Sequence, residues 1–121
     1  MDEDCVFCNI ANGKIKAEVI VENENFIVFR DINPVVSGHF LLIPKKHYAT
    51  FLDIPKEIYN NFMELAHDAV LKTLKETGAK GYNLVMNNDV VAGQVVHHSH
   101  LHIIPRKKDD GLSTFIGGKK H

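Results

Sequence analysis

The sequence predicts an α+β domain: a five-stranded, mostly antiparallel sheet with one long helix on a face and a short helix at the N-terminus. Three observations predict it. Apolar, β-branched runs lie on both sides of a single stretch of helical periodicity, the gap between the first two runs is turn-sized, and Gly, Pro and Asn mark the boundaries. A chain of 121 residues without repeat, low-complexity segment or linker suits one domain over 1–121.

The elements follow in order. Residues 6–12 read as a short helix stopped at Gly13. Residues 18–21 and 26–30 form a hairpin across a polar turn. Asn33-Pro34 and Ser37-Gly38 mark a loop, and 39–44 read as a third strand ended by Pro44. Asp53 begins the long helix, with Pro55 tolerated in its first turn. Ile58, Phe62, Leu65 and Ala69 recur at helical spacing, and Gly78 stops the helix. Residues 82–87 give a fourth strand, 88–93 a polar loop and 98–105 a fifth strand. From about residue 107 the chain is polar and Gly-rich and is expected to be a loosely held tail.

Composition narrows the function. Hydrophobic residues at 45% and charged residues at 24% give an ordinary globular balance. Net charge is −1 and the basic residues fall in short runs such as Lys45-Lys46, which argues against nucleic acid as the main partner. Met1-Asp2-Glu3-Asp4 has neither the basic start nor the apolar stretch of a signal peptide, and no apolar run spans a bilayer, so no membrane partner and a cytoplasmic location are expected. The core margin is thin, and a homodimer would add burial.

Histidine carries the chemistry. Of eight histidines, four fall within residues 97–102. Along a strand, residues i, i+2 and i+4 share a face, so His98, His100 and His102 are expected on the side away from the helix, with Leu101 and Ile103 in the core. From spacing alone three readings stay open: a His-x-His metal half-site, a solvated face and a catalytic row. The outer pair lies roughly 13 Å apart on a strand, too far for one ion without a strong bend. Neutral imidazole attacks phosphorus without charge repulsion, and neighbouring imidazoles can move protons. The anionic transition state also needs backbone donors, expected from Val91-Ala92-Gly93-Gln94.

These residues resemble the histidine triad family, whose pattern is His-x-His-x-His followed by apolar residues. The resemblance takes in Cys5-Val6-Phe7-Cys8-Asn9-Ile10, Phe29-Arg30-Asp31-Ile32-Asn33-Pro34, the segment from Gly38 to His47, Gly81 to Asn87, Ala92-Gly93-Gln94 and His98 to Arg106. It is most similar to the branch of nucleoside phosphoramidate hydrolases. It implies that His100 is the nucleophile, with His98, His102 and His39 completing the catalytic set. It implies a purine nucleotide substrate (an AMP or GMP derivative) with Phe7, Ile10, Phe29 and Ile32 around the base and Asp31 on the ribose. Asn87, Gly93, Gln94 and Val95 would stand beside the phosphate with His100 and His102. Val95 occupies a position where many relatives have serine, and the tail lacks a tryptophan-proline ending.

The resemblance further implies a structural zinc on Cys5, Cys8, His47 and His98, and a homodimer formed through the long helix and a sheet edge. No organic cofactor is expected. For Cys5-x-x-Cys8 a zinc half-site, a free thiol pair and a redox pair remain open. Three other functions also remain open: dinucleoside polyphosphate hydrolysis, a nucleotide-binding scaffold with little turnover, and a metal-dependent hydrolase. Nucleotidyl transfer to a sugar phosphate is disfavoured by His102, because members with that activity usually carry glutamine there.

Overall fold

The structure, a computed structural model, describes residues 4–113. Phe115 and His121, read from the sequence as tail residues, lie outside them. The chain opens with a two-turn helix, α1 (Val6–Ala11). Asn23 then closes the first hairpin: its side-chain oxygen accepts from the backbone amides of Asn25 and Phe26, at 3.0 and 2.9 Å. Strand β1 (Val19–Glu22) thereby folds antiparallel onto β2 (Phe26–Arg30), and β2 continues into β3 (Phe40–Pro44). After the long helix α2 (Tyr59–Thr77) come β4 (Gly81–Val85) and β5 (Leu101–Arg106). The sheet has five strands in the order β1-β2-β3-β5-β4, all antiparallel. The histidine strand β5 is therefore internal, and β4 is an edge.

Period-2 alternation sends side chains to two faces. Phe26, Val28, Phe40, Leu42, Leu101 and Ile103 face α2, which buries Phe62, Leu65, Ala66 and Ala69 against them. Phe26 and Phe62 stack with ring centroids 5.1 Å apart. On the other face Ile27, Phe29, Leu41 and Ile43 pack with Phe7 of α1. The sequence reading left that face open. It is instead half covered by the N-terminal segment, and only the remainder forms a cleft.

The element ends differ from expectation for identifiable reasons. Thr50 and Asp53 close a capping box on a 3-10 turn at Phe51–Asp53 rather than starting the long helix. Ile54 then stays extended (φ −74°, ψ 124°), as the residue before Pro55 must. Pro55 caps a second 3-10 turn at Lys56–Ile58, and α2 begins only at Tyr59. Gly78 ends it in the left-handed conformation at φ 75°, as expected. Residues 98–100 were expected within the fifth strand but precede it: the amide of Ser99 donates to the carbonyl of Tyr48 (2.7 Å) and not to a ladder partner. Residues 107–113 are gathered into a turn by Arg106, which binds Asp110 at 2.7 and 3.0 Å and the carbonyls of Leu112 and Ser113.

Candidate functional site

The uncovered part of the second face is a cleft of about 550 Å³. Phe7 and Ile10 of α1, Phe29 of β2 and Ile32 form its apolar wall. Asp31 stands beside them, held by the amide of Asn33, which donates to its Oδ1 at 2.9 Å. His100 and His102 lie at the other end with Asn87, Gly93 and Val95. Most of the expected site is thus brought to one cavity. His98 is not part of it.

Hydrogen bonds fix the tautomers. Burial holds the pKa of His39 below its ordinary value, opposed by the Asp31 carboxylate. Burial, with the neighbouring His100 and His39, lowers His102 to about 4. Both rings are neutral near pH 7 and carry one proton each. The amide of Val35 donates to His39 Nδ1 (3.2 Å), so the His39 proton sits on Nε2. That Nε2–H donates to His102 Nδ1 (2.9 Å), so His102 holds its proton on Nε2. His100 Nδ1–H donates to the carbonyl of His98 (2.8 Å), which leaves the lone pair on His100 Nε2. The His100 and His102 rings lie 5.1 Å apart, edge to face. A nucleophilic nitrogen and a proton donor therefore stand side by side.

The same chain decides against a metal at Asp31, His39 and His102, although their ligand atoms lie within 4.8 Å of one another. With Nδ1 accepting from Val35, His39 has no lone pair on Nε2 to offer.

The loop after Asn87 corrects the expectation of backbone donors. The amides of Ala92, Gly93 and Gln94 donate to Asp89 O, Val90 O and Asp89 O, and that of Val91 to the Asp89 side chain. All four are spent within the 3-10 turn at Val90–Ala92. Gln94, expected against the phosphate, is buried and works as a clip. Its amide donates to Ala49 O and Val96 O, and its oxygen accepts from the amide of Asp89. At the histidine end of the cleft the polar side chains that can face an anion are Asn87, His100 and His102. Gly93, at φ +96°, adopts a conformation that favours glycine, and an added Cβ would sit 3.4 Å from Asn87 Nδ2.

His98 is fully buried beside the cysteines. Its Nε2–H donates to Pro44 O (2.8 Å), so its lone pair is on Nδ1, 3.3 Å from Cys5 Sγ and 3.4 Å from Cys8 Sγ. His47 Nδ1 lies 3.3 Å from Cys8 Sγ. The four ligand atoms are within 4.8 Å of one another. Two sulfurs and two nitrogens around one tetrahedral zinc have neighbouring S and N atoms about 3.5 Å apart, given bonds of about 2.3 and 2.0 Å. The donor set, the spacing and the tautomer of His98 all fit.

A family model, the HIT domain, matches residues 12–109. This chain is a member of the HIT family. It is 49% identical over 117 residues to an uncharacterized HIT-like protein of Methanocaldococcus jannaschii, covering 97% of this chain and 90% of that one. It is 36% identical over 106 residues to the adenosine 5′-monophosphoramidase hnt1 of Schizosaccharomyces pombe, covering 88% and 77%. Among solved structures, a HIT family member from Bacillus subtilis superposes with a TM-score of 0.88 at 34% identity, covering 98% and 83%. A zinc-bound histidine triad protein from Mycobacterium smegmatis gives 0.82 at 37% identity, covering 94% and 83%. Sequence reading of this HIT chain missed Lys16, Asn33 and Val96, which also line the cleft. They fall in stretches without periodicity, where no pattern reports a side chain's direction. Of the remaining histidines, His67 and His97 are exposed.

Proposed function

We propose that this HIT protein is a nucleotide hydrolase that cleaves nucleoside 5′-phosphoramidates or adenylated amines through a covalent nucleotidyl-histidine. The observation that carries the reading is the tautomer pair: a lone pair on His100 Nε2 beside an N–H on His102 Nε2, both rings lining a cleft with an apolar wall. The similarity to a monophosphoramidase points the same way. The base lies against Phe7, Ile10, Phe29 and Ile32, and the ribose hydroxyls donate to Asp31. His100 Nε2 attacks the α-phosphorus, forming a P–N bond as the bond to the leaving amine breaks. The amine departs with a proton supplied from the histidine network. Water then attacks the same phosphorus and gives a proton back to the histidine network, the P–N bond to His100 breaks, and the nucleoside monophosphate leaves.

Cys5, Cys8, His47 and His98 would hold one zinc, which supplies a cross-link between α1 and the sheet and no step of the reaction. The edge strand β4 and the exposed Met63 and Leu71 of α2 support a homodimer.

The test is intact-protein mass spectrometry after rapid quenching of a reaction with adenosine 5′-phosphoramidate. A transient gain of one adenylyl group, absent in His100→Ala, is expected, with turnover in that variant falling at least about 10⁴-fold. Turnover without an adduct and unimpaired in His100→Ala would sink the mechanism. Absence of both adduct and turnover would favour a binding protein.

A further inference from the structure

We propose, on the hydrolase reading above, that Phe7 is a positioning residue linking the Cys/His cluster to the nucleotide cleft, so that metal and nucleotide each tighten the other. Phe7 lies between Cys5, which caps α1, and Cys8 within it, and is buried. Its ring meets two histidines of different duty. It stands edge-on to His98 of the cluster, centroids 5.8 Å apart, and edge-on to His100 of the cleft, at 5.0 Å. A third edge contact, to Phe29 at 5.8 Å, completes its seat on the sheet. Phe7 also lines the cleft, together with Ile10 one turn on.

The helix that carries Phe7 has six residues. A helix this short has no stability of its own in water, because nucleation is not repaid by two turns. Its order comes from what it docks against. Two ligands would hold it: a metal gripping Cys5 and Cys8 from one side, and a purine resting on Phe7 and Ile10 from the other. Each must order the same segment. Whichever binds first bears the ordering cost, and the second binds without it. Linkage then makes the effect reciprocal and equal in both directions. The carbonyl of His98, which orients His100, lies on the same segment as the metal ligand His98 itself. The link therefore reaches the nucleophile as well as the base wall.

Two titrations test this. Zinc affinity is measured by competition with a chromophoric chelator, with and without saturating AMP. AMP affinity is measured by calorimetry on zinc-loaded and zinc-stripped chain. AMP is expected to tighten zinc at least about fivefold, and zinc to tighten AMP by the same factor. Phe7→Leu, which keeps an apolar side chain but loses the ring, is expected to reduce the factor below about twofold. Phe7→Tyr, which keeps the ring, is expected to retain it. Amide exchange over residues 6–11 is expected to be fast in the stripped chain and slowed by either ligand alone, a readout that does not depend on a variant folding. Equal AMP affinity for loaded and stripped chain would overturn the coupling alone. Failure of AMP to bind the loaded chain would overturn the hydrolase reading with it. Coupling undiminished in Phe7→Leu would remove Phe7 as the link.

Discussion

The backbone amide of Val35 decides where the proton of His102 sits, acting through His39. His39→Phe severs that chain and lets His102 take either tautomer. Turnover is expected to fall about 10- to 100-fold with KM little changed, the signature of a lost orienting group. The same histidines make stability depend on pH. The folded pKa of His102 is about 4, below its ordinary 6.5, and that of His39 is lowered too. Between those values the unfolded chain binds more protons, so stability is full above about pH 6.5 and is lost as pH falls towards 4. Urea midpoints recorded across that range check this, and His102→Asn is expected to flatten the profile. Sequence patterns found these side chains, because His-x-His spacing survives any bend in the backbone. Spacing alone did not show what the family resemblance implied, that His98 turns away to the cysteines, since that orientation depends on Pro44 O, a carbonyl 54 positions away. Nor did it show that Gln94 is consumed by its own loop.

Between elements, the contact most exposed to damage is the entry to β3. Gly38 has φ +91°, and a Cβ there would lie 2.5 Å from Thr77 Cγ2 and 2.7 Å from Thr73 Oγ1. Thr73 in turn donates to Gly38 O, tying α2 to the residue before His39. Gly38→Ala is expected to cost about 3 kcal/mol, from the left-handed backbone and the overpacked helix face together. Thermal unfolding measures it directly. The hairpin, the long helix and all five strands were legible because alternation and helical periodicity report which face is buried. Gly78 and Pro44 marked their ends correctly, but the start of the long helix was not legible. Pro55 was compatible with a first helical turn, yet here it holds Ile54 extended and delays the helix to Tyr59.

At the scale of the whole molecule, the sheet ends in two edge strands, β1 and β4, and among the described residues β4 is the longer. Strand β4 borders the sheet and exposes Tyr82 and Leu84, each at 47%. Such an edge invites a second strand. Under the proposed dimer, Leu84→Asp is expected to yield monomers by light scattering at micromolar concentration. A monomer in the unsubstituted chain would remove the dimer from the picture. Chain connectivity adds a matter of timing. The Cys/His cluster joins Cys5 to His98 across 93 positions. At about 5–20 residues per second, a ribosome needs on the order of 5–20 s to make that stretch. Under the proposed zinc site, Cys5 therefore waits for His98 to be synthesised. During nascent-chain growth the thiols of Cys5 and Cys8 are bare until then, and a segment made before the sheet is one that can be completed only after most of it.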